Sequence, residues 1–208
     1  MGRALKLEGE ADIPATQQLI LDAAINCVRR WGIERVTLND IAYEARVARS
    51  TVYSYYSNRD EVIRSALLRS AYGFGEKLFV HISQFPSAEE RLLEAIIYSL
   101  RTLPDEPSLA LISDTALSQM VREHSLTTPE GVDIGTVLFK SILQDDRYSQ
   151  QELEELSEFS IRFMLSLLTM ESPRQRSDEE LRGFIARRLL PSVGLSVPSQ
   201  YDCFAGKL

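Results

Sequence analysis

Val36 to Glu61, VTLNDIAYEARVARSTVYSYYSNRDE, is the stretch whose reading decides the fold of this chain. Thr37 can accept from the free backbone N–H groups of a helix start while Asp40, three residues on, reaches back, which is a helix entry signal. Leu38, Ile41, Ala42 and Ala45 then recur at helical spacing, giving one face to bury and leaving Asn39, Tyr43 and Glu44 outside. Arg46 and Val47 break the pattern. In the following ARSTVYSYY, Val52 and Tyr56 sit four apart and face inward. Arg49, Ser50, Thr51, Tyr53 and Tyr55 lie on the remaining surface. That surface suits a nucleic acid: arginine pairs bidentately with guanine, Ser and Thr reach bases or phosphates, and tyrosine hydroxyls bond phosphate oxygens. A helix, a short turn and a polar second helix make a helix-turn-helix.

The segment resembles the TetR-type transcriptional regulators. Thr37, Asp40-Ile41-Ala42, Ala45, Val47, Arg49-Ser50-Thr51-Val52-Tyr53, Tyr55-Tyr56 and Asn58-Arg59-Asp60-Glu61 carry the likeness. With the helix before it, the likeness covers about the first third of the chain; the remainder matches in length and helical character only. Two positions depart from the family pattern. Arg46 stands where the turn usually has Gly, and a left-handed backbone there costs a non-Gly residue roughly 1–2 kcal/mol. Ala48 replaces the usual Ser or Thr cap. Either the turn geometry differs slightly or Arg46 offsets the cost by reaching a phosphate. The resemblance implies a repressor acting as a homodimer on a palindromic double-stranded DNA operator. It also implies a helical body enclosing a small apolar or aromatic inducer, with no bound cofactor.

The 208 residues are 44% hydrophobic, enough for one good core or two small ones, and the helical punctuation favours two. No apolar run reaches the length of a membrane span, and the N-terminus lacks a signal-peptide core, so a cytoplasmic protein is expected. Cys27 and Cys203 lie far apart and form no disulfide framework; Cys27 reads as a core residue. The net charge of −7 argues against a DNA-binding protein until its distribution is read. Residues 1 to 64 are balanced, the whole acidic excess lies beyond them, and Arg46 to Arg69 holds five Arg against Asp60 and Glu61. A small basic face on a neutral head permits DNA contact in one orientation.

Residues 1–12 are expected to be a flexible arm, 13–61 a helix-turn-helix domain, 62–191 a helical regulatory and dimerisation domain, and 192–208 a loop-like tail. Pro14 to Trp31 has a clear helical period through Leu19, Ile20, Ala23, Ala24, Cys27, Val28 and Trp31, with Trp31 expected as a core anchor. Asn58 and Glu61 form a capping box that opens a long helix running to about His81, a connecting rod between head and body. Gly73 and Gly75 interrupt it, and close helix packing is the favoured reason. Further helices are expected over Glu89–Leu103, in Ser108–His124, around Val132–Leu143, over Ser149–Met170 and over Ser177–Leu190. The Ser149–Met170 helix is apolar on most of its circumference from Leu156 and must be covered on several sides. By resemblance the last two helices, about 149–190, form the dimer interface.

Enzyme readings find no support. The histidines, His81 and His124, lack metal-site spacing, and no nucleophile elbow, zinc-protease motif or Rossmann fingerprint is present. The acidic cluster Glu152, Glu154, Glu155 and Glu158 reads as an exposed helix start. The expected protein is therefore an all-α, non-enzymatic DNA-binding regulator: a three-helix head joined by a long helix to a ligand-binding and dimerisation domain. Arg49, Ser50, Thr51 and Tyr53 are candidates for base and nearby backbone contact, and Thr37, Arg46, Tyr55 and Arg59 for phosphate. Tyr72, Phe79, Tyr98, Met120, Phe139, Phe163 and Met164 are candidate ligand contacts in the body. The alternatives are a DNA-bound adaptor whose body binds a protein, and a helical enzyme or scaffold that retains the head.

Overall fold

The computed structural model describes residues 13–106, 129–145, 148–172 and 175–202. The expected arm and the whole of the expected Ser108–His124 segment, with Met120 and His124, lie outside the described residues. Among those described every regular element is helical: α1 (Ala15–Trp31), α2 (Leu38–Glu44), α3 (Arg49–Tyr55), α4 (Arg59–Ile82), α5 (Ala88–Thr102), α6 (Pro129–Leu143), α7 (Gln150–Thr169) and α8 (Asp178–Leu189). The order and extents follow the sequence signals. None of these helices is long and apolar enough to cross a membrane.

The chain divides into two compact units, one of residues 1–74 with 104–131, the other of 75–103 with 132–208. Helix α4 contributes to both, its residues to Phe74 counting with the first and those from Gly75 with the second. It is also unbroken, so Gly73 and Gly75 do not interrupt it. At about 1 kcal/mol each, two glycines are outweighed by the apolar residues that α4 buries. The packing explanation for Gly73 fails as well, because a Cβ there would meet nothing within 4 Å.

In the first unit α1 packs on α2, and α2 on α3. Helix α1 buries Ile20, Leu21, Ala23, Ala24, Ile25, Cys27 and Val28. This broad face is centred on Ala24, so Leu19 falls off its edge. Trp31 is 40% exposed and is not the expected core anchor: the Arg30 guanidinium lies over its ring at 5.5 Å on the solvent side. Cys27 is a core residue as expected, 1% exposed, and burial pushes its thiol pKa up to about 11.

In the second unit α5 packs on α7 and α8. Ser87 and Glu90 close a reciprocal capping box at the start of α5, Ser149 and Glu152 at that of α7, and Ser177 and Glu180 at that of α8. Arg91 on α5, 6% exposed, donates to three carbonyls: Ile142 at 2.7 Å, Phe85 at 3.1 Å and Pro86 at 2.9 Å. Burial lowers its pKa. Glu94, also on α5, accepts from Arg182 of α8 and lies 3.4 Å from His81 at the end of α4.

Helix α7 fully buries only Leu153, Ser157 and Ser160, leaving Phe159 45% and Met170 68% exposed. The cover expected on several sides is therefore incomplete within one chain. Residues 192–202 of the tail are more ordered than the loop-like reading allowed. Short 3₁₀ turns at Pro191–Val193 and Ser199–Tyr201 pack on α8, Val193 is buried, and Arg187 donates to the Tyr201 carbonyl at 3.1 Å. Apolar Val193 and a long cation on the preceding helix supply the anchoring that composition alone hid.

Candidate nucleic-acid interface

The helix-turn-helix is built as its spacing demands. Thr37 caps α2 and shares a capping box with Asp40, while Ile41, Ala42 and Ala45 are buried beneath. Helix α2 then ends in two paired hydrogen bonds: Val47 N–H donates to the Ala42 carbonyl at 3.0 Å and Arg46 N–H to that of Tyr43 at 3.1 Å. This Schellman arrangement requires a left-handed residue between the helices. Arg46 takes that conformation, with φ of 56°, so the strain read from the missing glycine is present in the backbone.

Helix α3 has no side-chain cap at Ala48. It is seated by Val52, with 0% exposure, and by Tyr56, whose hydroxyl accepts from Gln17 Nε2 at 2.9 Å. Burial raises the Tyr56 pKa, partly opposed by that hydrogen bond. The remaining surface carries Arg49, Ser50, Tyr53 and Tyr55, all exposed, with Thr51 partly covered. Five of the eight candidate DNA contacts thus share one short, rigidly seated helix.

Arg49 and Tyr53 are not independent. Arg49 Nη2 donates to Tyr53 Oη at 3.0 Å, and its guanidinium lies 5.2 Å from the centre of the same ring. Both line a shallow depression together with Thr37, Asn39 and Arg59, so three elements meet on one surface.

Thr37 and Arg59 meet a different geometry from the one expected of phosphate contacts. The Thr37 hydroxyl donates to Asp40 Oδ2 at 2.6 Å, so its proton is committed to the capping box. Arg59 donates to the carbonyls of Ile33 and Glu34, each at 3.3 Å, and of Val36 at 3.5 Å, and pairs with Asp60 at 2.8 Å. It therefore ties the loop before α2 to the start of α4. Beside it, Asn58 accepts from Glu61 N–H at 2.9 Å, while Glu61 reaches back to Ser57 N–H at 2.7 Å, one residue before the cap expected from spacing. The sequence reading placed Tyr43 outside without giving it a role; at 86% exposure it is the most open aromatic side chain described.

The candidate ligand contacts are distributed over several helices. Tyr72 falls in the first unit; Phe79, Tyr98, Phe139, Phe163 and Met164 fall in the second. Phe139 is core at 4% exposure. Tyr98 stacks on His81 at 4.5 Å, and Phe163 on Phe184 at 6.2 Å, with Arg176 over the latter ring. Among the described residues no cluster of side chains fits a metal ion.

Comparison with known proteins fits this geometry. Residues 20–66 match the family described as bacterial regulatory proteins, tetR family. An uncharacterized HTH-type transcriptional regulator of Mycobacterium tuberculosis is 28% identical over 174 residues, covering 84% of this chain and 83% of that protein. The TetR family repressor AlkX from Dietzia, implicated in n-alkane biodegradation, superposes with a TM-score of 0.62 at 19% identity, over 89% of this chain and 99% of the other. RolR, solved in complex with resorcinol, superposes with a TM-score of 0.57 at 15% identity, over 93% and 94% of the two chains. The capped α2, the strained turn and the polar face of α3 all lie within the matched residues, so this part of the chain is a helix-turn-helix of the tetR type.

Proposed function

We propose that this protein is a ligand-responsive repressor that binds a palindromic operator as a homodimer. The observation that carries the DNA half is the division of α3: Val52 and Tyr56 bury one side, and Arg49, Ser50, Tyr53 and Tyr55 present the remaining surface to solvent. That face would enter the major groove, with two copies on half-sites about one helical turn apart. Arg49, Ser50, Thr51 and Tyr53 serve base and nearby backbone contact, and Arg46 and Tyr55 serve phosphate. Thr37 and Arg59 hold the motif in shape.

Dimerisation is assigned to α7 and α8, on the strength of the apolar side chains that α7 leaves uncovered in one chain. The effector is assigned to the helical body and to the apolar or aromatic class. Aromatic side chains on α4, α5, α6 and α7 support that class, as does the aromatic ligand in the RolR complex. The protein acts in the cytoplasm, where its DNA is.

Selection from random duplex DNA at a fixed, stated salt concentration tests the reading, since the electrostatic share of affinity varies with salt. A recovered palindrome is the expected result. Aromatic and apolar compounds are then screened for releasing it. A folded dimer that enriches no motif would overturn operator reading and move the protein-binding adaptor ahead.

A further inference from the structure

We infer that Tyr53 is a positioning residue that holds Arg49 to read a guanine in each half-site, so that one backbone contact and one base contact act as a unit. The inference rests on the operator-reading function proposed above and deepens it. Arg49 is the first residue of α3 and Tyr53 stands one turn later, on the exposed side. Tyr53 Oη accepts one Arg49 N–H at 3.0 Å while the ring lies under the guanidinium. Two independent attractions, a hydrogen bond and a cation–π contact, therefore fix one rotamer of a long side chain that would otherwise sample many.

The donor inventory gives this posture a purpose. A guanidinium has five N–H donors in a planar fork, so one spent on Tyr53 leaves an edge able to donate twice. Guanine presents O6 and N7 as paired acceptors in the major groove, and a two-donor edge matches them. Because Tyr53 oxygen accepts from Arg49, its own O–H remains available to donate to a phosphate oxygen. Among the described residues Arg49 pairs with no carboxylate that would compete for the fork. Beneath them, fully buried Val52 keeps α3 from rolling.

The test is the operator recovered with the wild-type protein, together with all its single-base variants, measured against Arg49→Ala, Arg49→Lys and Tyr53→Phe at one salt concentration. Arg49→Ala is expected to lose a guanine preference of roughly tenfold or more at one symmetric position per half-site. Arg49→Lys does not restore it, since an ammonium lacks the fork. Tyr53→Phe keeps the ring and loses the hydroxyl, and is expected to weaken the preference at that same position about threefold or more while other positions keep theirs. Both sites are exposed, and unchanged melting temperatures confirm intact folds.

Two results overturn the inference while leaving operator reading standing. One is an Arg49→Ala protein that retains every base preference. The other is a Tyr53→Phe protein that loses affinity equally for all sequences, which would make Tyr53 a phosphate contact alone. A wild-type protein that recovers no motif removes operator reading itself, and this inference with it.

Discussion

The Ser157 hydroxyl of α7 occupies the space that a side chain at Gly135 of α6 would need. A Cβ built on Gly135 overlaps Ser157 Oγ and comes within 3.3 Å of Ile161 Cδ1. Ser157 is 2% exposed, so its oxygen has nowhere to retreat. Gly135→Ala would gain about 1 kcal/mol of helix propensity. The overlap outweighs that gain, since overpacking costs typically 1–3 kcal/mol. The variant is expected to melt lower than wild type, and Gly135→Ala with Ser157→Ala to recover most of the loss. A thermal melt of the single and double variants reads both.

Arg46 predicts the opposite sign. Its φ of 56° is unfavourable for any residue with a Cβ and free for glycine. Arg46→Gly is expected to stabilise the protein by about 1 kcal/mol, a rise of about 2–4 °C for a chain of this size. Operator affinity is expected to fall, and its salt dependence to weaken by the share of one cation. Lower affinity with no gain in melting temperature would refute the strain argument.

Glu94 gives the second unit an acid sensitivity. Burial alone would raise its pKa, but the hydrogen bond and charge of Arg182, with a further contribution from His81, more than offset burial and hold it below the ordinary carboxylate value. A carboxyl with a depressed folded pKa contributes stability above its unfolded pKa and loses it as pH falls through the folded one. Stability should therefore decline as pH drops below about 4.5, the ordinary Glu value. Glu94→Gln is expected to flatten that decline. Arg182→Met leaves Glu94 largely enclosed with only the His81 contact, and is expected to cost up to about 3 kcal/mol at pH 7. Denaturant melts across pH measure both.

Arg91 is expected to tolerate no replacement. Three carbonyls from two chain segments converge on one guanidinium, and hydrogen bonds to a charged group contribute about 1.5–3 kcal/mol each. Arg91→Ala should cost more than 3 kcal/mol, and Arg91→Lys nearly as much, because a point ammonium cannot span the same carbonyls. A lysine variant as stable as wild type would show that charge alone suffices.

What the sequence disclosed was whatever short-range chemistry controls. The capping partners Thr37 and Asp40 stand three apart, so their pairing is legible in one line of text, as is that of Ser177 and Glu180. The strained turn was legible through the resemblance, which puts glycine where Arg46 stands. Long-range placement was not. Arg59 reaches carbonyls more than twenty residues earlier, and nothing in local spacing separates that role from phosphate binding. Trp31 keeps the helical period of its neighbours yet stays exposed, because periodicity gives direction and not depth. The bond between Arg49 and Tyr53 was within reach, since residues four apart on a helix are neighbours, but each was read as a separate contact.

In the proposed dimer, exposed Phe159 on α7 and Met170 at its C-cap make abundance part of this protein's chemistry. If a second copy covers this surface, as proposed, stability becomes a matter of mass action, in which each tenfold dilution removes about 1.4 kcal/mol from the folded assembly. Melting temperature should rise with protein concentration. A cell that makes little of such a regulator holds both fewer molecules and less stable ones.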